Sequence, residues 1–147
     1  MKPQIKVGIG YDSHRFVLDR PLILGGVIIP HLCGLDGHSD ADVLLHAIAD
    51  ALLGAAGLGD IGTHFPDNEE KYKDIKSTLL LASVFEKIVK EGFLIGNVDA
   101  VIIVEVPKMN PHIPVMRKKI SKILVTSEQN ISIKATTNER KIGRAHV

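Results

Sequence analysis

An α+β domain, a single mixed β-sheet with helices packed on one face, is the fold that the sequence predicts. Strand-like and helix-like periodicities are mixed along the chain without a regular βαβ repeat. Its 147 residues fit one domain, and 45% hydrophobic against 24% charged residues is the balance of a globular protein with a sizeable core. No internal repeat, linker or low-complexity segment divides it.

Residues 5–9 alternate apolar with polar or small side chains, as a half-buried strand does, and run into Tyr11-Asp12-Ser13-His14. Residues 21–24 and 27–30, joined by Gly25-Gly26, predict a hairpin, because paired glycines supply the positive φ of a tight turn. Ser39 as N-cap, with Asp42 three residues on, reads as an acidic capping box that opens a helix over 43–53. That helix is apolar nearly all round and is expected to be buried or to sit at a subunit contact. Residues 54–68, rich in Gly, Pro and Asp, form an extended loop. A second helix over 75–91 closes at Gly92, where a left-handed C-cap belongs. Residues 98–106 are dense in Val and Ile and predict a central strand. A constrained loop at 107–111, a third helix over 114–124 and a strand over 131–135 complete the series.

Eighteen Lys and Arg against seventeen Asp and Glu give a net charge of +1, so no overall field draws the chain to nucleic acid or to an anionic membrane. Any phosphate binding must be local. The longest apolar run, 43–58, is broken by His46 and Asp50 and falls short of the roughly twenty residues of a bilayer span. The first ten residues lack the apolar stretch of a signal peptide, and the single Cys33 makes no internal disulfide. A reducing cytoplasm is the expected compartment.

Asp12 and His14 are two apart, which in extended chain aims a carboxylate and an imidazole to one side. Asp42, His46 and Asp50 recur every four residues as the only polar stripe of the first long helix. Bringing His46 against Asp12 and His14 would give the ligand set of a catalytic zinc site with an open position. The same set suits a non-haem Fe(II) oxygenase. A third reading is a non-catalytic oligomeric module, in which buried histidines are simply hydrogen-bonded. His38, just ahead of a helix N-terminus, could add an imidazole to the amides that favour phosphate there. In Lys134-Ala135-Thr136-Thr137-Asn138-Glu139 the hydroxyls and amide suit phosphate oxygens and Glu139 suits Mg²⁺, unless the segment is only a capped turn. On composition alone, Asp60-Ile61-Gly62 and Phe65-Pro66-Asp67-Asn68 are a turn-rich surface.

Several separated motifs then agree. Gly10-Tyr11-Asp12-Ser13-His14-Arg15-Phe16, Leu24-Gly25-Gly26-Val27-Ile28-Ile29-Pro30, and His38-Ser39-Asp40-Ala41-Asp42-Val43 through His46-Ala47 resemble the 2-C-methyl-D-erythritol 2,4-cyclodiphosphate synthase family. So do Ala51-Leu52-Leu53-Gly54-Ala55-Ala56, Gly59-Asp60-Ile61-Gly62, Phe65-Pro66-Asp67, Gly96-Asn97-Val98-Asp99, Pro107-Lys108-Met109 and Lys134-Ala135-Thr136-Thr137. In order and spacing the resemblance covers roughly residues 6–140.

The resemblance implies an enzyme of the non-mevalonate isoprenoid pathway, a homotrimer with active sites between subunits. Its nucleotide-linked substrate would be 4-diphosphocytidyl-2-C-methyl-D-erythritol 2-phosphate, whose 2-phosphate attacks the β-phosphorus and expels CMP. Asp12, His14 and His46 match zinc ligands, and Glu139 matches the residue that holds Mg²⁺ or Mn²⁺ between phosphates. His38 and Thr137 match transition-state stabilisers. Ser39, Asp60, Ile61 and Gly62 are implied substrate contacts, with Phe65, Pro66, Asp67, Asn68 and Glu69 in the adjoining loop. Val104, Pro107, Lys108, Met109 and Asn110 correspond to a cytidine pocket contributed across the subunit boundary, and Thr136 and Asn138 to further substrate contacts. Such chemistry asks for positioning and charge neutralisation and for no protein nucleophile, so Cys33 is dispensable.

After Glu139 the family continues with a Gly-Phe-x-Gly-Arg-x-Glu-Gly stretch and a final strand. This chain reads Lys141-Ile142-Gly143-Arg144-Ala145-His146-Val147, whose last six residues match a translated sequencing adapter. The expectation is one domain over 1–140 lacking its closing strand, with 141–147 a non-native tail. A neighbour left without that strand has unpaired backbone and an uncovered apolar face, so poor solubility or an unstable trimer is expected.

Overall fold

In the computed structural model, which describes residues 3–140, the amino-terminal segment is seated directly on the backbone of the first long helix. That helix, α1 (Val43–Ala56), passes so close to Gly8 and Gly10 that a Cβ there would stand 1.9 Å from the Ala51 carbonyl oxygen and 1.8 Å from that of Ala47. Only glycine permits this approach.

Strand β1 (Phe16–Leu18) pairs antiparallel with β4 (Cys33–Leu35), and between them β2 (Leu22–Leu24) and β3 (Val27–Ile29) form a hairpin. Its turn is Gly25-Gly26 with φ of 59° and 73°, as the paired glycines predict. The short helix α2 (Ile61–His64) interrupts the expected loop after α1. Helix α3 (Ser77–Lys90) packs on α1 and ends ahead of Gly92, whose φ is 87°. Strand β5 (Val98–Ile103) leads through α4 (Ile113–Ile123) to β6 (Ile131–Thr136), which pairs parallel to β5 from Val98 with Ile131 to Ile103 with Thr136. This is one βαβ unit in a chain without a regular repeat of them. The core joins Leu44, Leu45, Ile48 and Leu53 of α1 to Leu80, Leu81 and Val84 of α3, and Met116 and Ile120 of α4 to Ile131 and Ile133 of β6.

Mixed α+β architecture is as expected, but three features differ from the sequence reading. The strands fall into three separate two-stranded pairs, β1–β4, β2–β3 and β5–β6, where a single sheet was expected. Residues 5–9 are extended but belong to no ladder, and Ile5, Val7 and Ile9 are about nine-tenths exposed. Their alternation is real, yet no strand among the described residues lies alongside. Between this segment and residues 97–101 runs a cleft of about 820 Å³ floored by Leu44, Ala47, Ile48, Ala51 and Ala55. Strand β5, expected to be central, therefore pairs on one edge only among the described residues.

The third difference is the cap of α1. Asp42, not Ser39, is the N-cap, its Oδ1 accepting from Leu45 N at 3.1 Å. Ser39 Oγ accepts from Ala41 N at 3.2 Å in the loop before the helix. Asp42 is chosen because the same carboxylate also accepts from Gly25 N at 3.0 Å and Gly26 N at 2.7 Å, tying the hairpin turn to the helix. Burial raises its carboxyl from the usual 3.8 to about 6, with the three N–H donors pulling the other way. An acid with a raised folded-state pKa contributes stability that is complete below its unfolded pKa and is lost as pH rises through the folded one. The contribution of Asp42 should thus fall between pH 3.8 and about 6. Urea unfolding across that window is expected to show a decline of up to about 3 kcal/mol in the wild type relative to Asp42→Asn. Asp42→Ala, which strands three amides, should cost on the order of 3 kcal/mol at low pH and less as pH rises through about 6.

Candidate active site

The seating of residues 8–10 on α1 carries Asp12 and His14 to the helix face that bears His46. Asp12 Oδ2 lies 2.9 Å from His14 Nε2 and 3.3 Å from His46 Nδ1, and the two rings are 5.8 Å apart. The three potential ligand atoms are all within 4.8 Å of one another. His14 is turned by its far nitrogen: Nδ1 donates to the Asp36 carbonyl at 2.6 Å. A carbonyl can only accept, so in the neutral ring the lone pair is on Nε2 and faces Asp12. Two acceptors that close need a proton or a cation between them. A carboxylate and two imidazoles also form a borderline-hard donor set that suits a divalent metal at bonds of about 2.0–2.2 Å. The residues present therefore fit a dication.

Close approach at the loop before α1 makes room for this. A Cβ on Gly37 would stand 3.2 Å from the His14 ring, so glycine there lets the imidazole lie against the loop. Arg20, which the sequence reading did not single out, fixes that loop by donating to the Gly37 carbonyl at 2.7 Å and the Ser39 carbonyl at 2.5 Å. Burial opposes ionisation of Asp12, but the His46 and His14 imidazoles, when they carry a proton on the nitrogen that faces it, and the hydrogen bond from Ser13 N outweigh it and hold the carboxyl below its ordinary value. The group is ionised at neutral pH, as a ligand must be.

The cluster opens into a cavity of about 270 Å³. Of the sequence-predicted residues, His38, Ser39, Ile61, Gly62, Phe65 and Asp67 line it beside Asp12, His14 and His46. Helix α2 brings Ile61 and Gly62 there, and two carboxylates hold it. Asp60 caps it by accepting from Thr63 N at 2.9 Å, and Asp50 accepts from Ile61 N at 2.8 Å. Asp50 thus anchors α2. Gly37, Tyr72, Ile75 and Leu80 also line the cavity and were missed, since nothing local distinguishes three of them from core residues. Pro66, Asn68 and Glu69 follow in the same loop without lining it, and Glu69 pairs with Lys71 at 2.8 Å.

A second group stays away from this cavity. Val104, Pro107, Lys108, Met109, Asn110, Thr136, Thr137, Asn138 and Glu139 are gathered instead around the carboxyl ends of β5 and β6. Val104 N donates to the Thr136 carbonyl at 3.0 Å, and Glu139 N donates to Thr137 Oγ1 at 3.1 Å. Met109 is buried in the core of its own chain. His31 packs edge-on to Phe16 and His64 bonds the Leu58 carbonyl at 2.7 Å, so these two have structural partners, and His112 stands at the N-cap of α4 without a side-chain cap bond.

The model of the YgbB family matches residues 5–146 of the chain. The chain belongs to that family. A 2-C-methyl-D-erythritol 2,4-cyclodiphosphate synthase of Desulforamulus reducens is 55% identical over 92% of this chain and 86% of its own length. Among solved structures, a bifunctional IspDF from Campylobacter jejuni superposes with a TM-score of 0.90 at 42% identity, covering 94% of this chain. The chain spans 37% of that larger protein. A 2C-methyl-D-erythritol-2,4-cyclodiphosphate synthase in a form bound to CDP superposes with a TM-score of 0.86 at 34% identity, over 92% of this chain and 90% of that one. With relatives of such identity, the chain is an enzyme of their kind, and the oxygenase and non-catalytic readings lapse. No helix among the described residues is long and apolar enough to cross a membrane.

The cluster should respond to metal directly. Zn²⁺ at a hundredfold excess over its dissociation constant is expected to stabilise the fold by about 2.7 kcal/mol, read as a rise in melting temperature that a chelator reverses. In His14→Ala and His46→Ala that rise should vanish.

Proposed function

We propose that the Asp12–His14–His46 cluster and the cavity beside it form the site at which this chain converts 4-diphosphocytidyl-2-C-methyl-D-erythritol 2-phosphate to the 2,4-cyclodiphosphate with release of CMP. The observation that carries the reading is the convergence of a metal-binding cluster with His38, Gly62, Phe65 and Asp67 on one cavity, in a chain of this family. An oxygen of the 2-phosphate forms the new bond to the β-phosphorus, the bond from that phosphorus to the CMP oxygen breaks, and CMP leaves with the electron pair. Nucleophile and leaving group both belong to the substrate, so the protein supplies position and charge.

Zn²⁺ held by Asp12, His14 and His46 would supply Lewis-acid neutralisation of phosphate charge. Mg²⁺ or Mn²⁺ would be held with the aid of Glu139. His38 at the cavity wall donates to phosphate oxygens as charge builds, and Thr137 does the same with its hydroxyl. Ser39, Asp60, Ile61 and Gly62 hold the erythritol, with residues 65–69 in the adjoining substrate loop.

Val104, Pro107, Lys108, Met109 and Asn110 serve the cytidine, with Thr136 and Asn138 beside them. That this group does not line the cavity of its own chain supports a homotrimer in which a neighbouring copy brings it there. The CDP-bound relative supports a nucleotide in that pocket. The edges on either side of the large cleft, unpaired among the described residues, support a domain over 1–140 that is completed by one further strand, which would join residues 5–9 to β5 and β6 in one sheet. The reading of 141–147 as a non-native tail lies outside the described residues. Cytoplasmic location follows from the proposed metabolism.

The test is CMP release from the substrate, with and without chelator and with and without O₂. Turnover should require the metal and be indifferent to O₂. His38→Ala should lower kcat by roughly 10²–10³-fold. His46→Ala should abolish activity, and CMP release at the wild-type rate by a folded, trimeric His46→Ala would falsify the reading. The shared site makes a further expectation. His46→Ala and Lys108→Glu, each inactive alone, should on mixing and subunit exchange regain about a quarter of the wild-type activity, because a quarter of the sites then draw an intact half from each parent.

A further inference from the structure

The far side of His46 is held by a relay that no other part of the site explains. Ser77, the first residue of α3, is fully buried, and its Oγ lies 2.9 Å from His46 Nε2. The same hydroxyl donates to Asp40 Oδ1 in a short hydrogen bond, and Ser77 N donates to Asp40 Oδ2 at 3.0 Å. Ser39 Oγ stands farther from Nε2, at 3.4 Å.

A hydroxyl has one proton. Asp40, a carboxylate, can only accept, so the proton of Ser77 goes to Asp40 and its oxygen faces His46 as an acceptor. Nε2 must then carry the ring proton, which leaves the lone pair of the neutral imidazole on Nδ1, the nitrogen aimed at Asp12. His14 reaches the same result by a carbonyl on its far nitrogen. The two imidazoles are thus set in opposite tautomers by two unrelated devices, and both offer a lone pair to one point.

We propose that Ser77 and Asp40 are positioning residues, which fix the tautomer and ring orientation of His46 for the cation held with Asp12 and His14. This rests on the metal reading of the cluster. Asp40 also caps α3 through Ser77 N, and that purely structural contact survives in Ser77→Ala, which removes the hydroxyl alone.

The experiment measures Zn²⁺ affinity by competition with a chelator of known affinity, alongside the melting temperature of the metal-free protein. Ser77→Ala and Asp40→Asn are each expected to weaken Zn²⁺ binding by 10- to 100-fold, the usual cost of losing a partner to a ligating histidine. The metal-free Ser77→Ala should keep a cooperative melt. Nitrogen-15 spectra of its histidines should show His46 leaving the single Nε2–H tautomer expected of the metal-free wild type. Unchanged affinity in a folded Ser77→Ala overturns the proposal, as does a mixed His46 tautomer in the wild type. If Ser77→Ala does not fold, the affinity of Asp40→Asn decides in the same way. Absence of Zn²⁺ binding by the wild type is a separate outcome, which overturns the metal reading and the proposal together.

Discussion

Everything at the candidate site depends on one steric allowance, the contact of the Gly8 and Gly10 backbone with the carbonyl side of α1. His46 is fixed in the helix, whereas Asp12 and His14 arrive on a segment that makes no ladder bonds. The segment can lie at the right height only if nothing projects from residues 8 and 10, since a methyl group there would overlap the Ala47 and Ala51 oxygens. Small residues on the helix complete the fit: Ala47, Ala51 and Ala55 form the strip under residues 4–10. The alanines of α1 are therefore part of the candidate site in a geometric sense, although none carries a donor.

Helix α1 and the loop before it then distribute the rest of the fold through three carboxylates with different jobs. Asp40 meets the start of α3 at Ser77, Asp42 receives the hairpin turn at Gly25 and Gly26, and Asp50 receives α2 at Ile61 N. Each accepts from backbone N–H groups that would otherwise be unpaired at a turn or a helix start. The polar stripe of an otherwise apolar helix is thus a set of anchors, and its one non-acid, His46, sits between them. Orientation of the ligand and docking of its neighbours are the same network, so the centre is stiffened by contacts that the fold needs anyway.

Residue types whose partners are near in sequence were legible. The Gly25-Gly26 hairpin, the length of α3 up to Gly92, and the two-residue spacing of Asp12 and His14 follow from local rules. Misreadings arose where the deciding contact is distant. Ser39 and Asp42 are both good caps by type, and the choice between them depends on amides of Gly25 and Gly26 that lie 17 and 16 residues away. Residues 5–9 have the alternation of a strand, but here the apolar side chains are left exposed while the glycine side lies on α1, and no strand among the described residues lies alongside. β1 and β4 are three residues each, too short to show any period. Ser77 reaches His46 across 31 residues, and no pattern within either helix announces it.

The charge arithmetic of the centre suits a polyanionic ligand on a nearly neutral protein. Asp12 is the single carboxylate of the cluster, and its depressed pKa keeps it ionised. With two neutral imidazoles, a bound dication would retain one net positive charge facing the cavity. A second carboxylate among the ligands would cancel it, and a third imidazole would leave two positive charges. Asp42, at the N-cap of the same helix, is withheld from the cluster by the three amides from which it accepts. Asp40 is withheld by Ser77 and by Asp42 N. Keeping those acids occupied is what leaves the residual charge available to phosphate. A chain with a net charge of +1 can in this way concentrate attraction at one point without a basic surface.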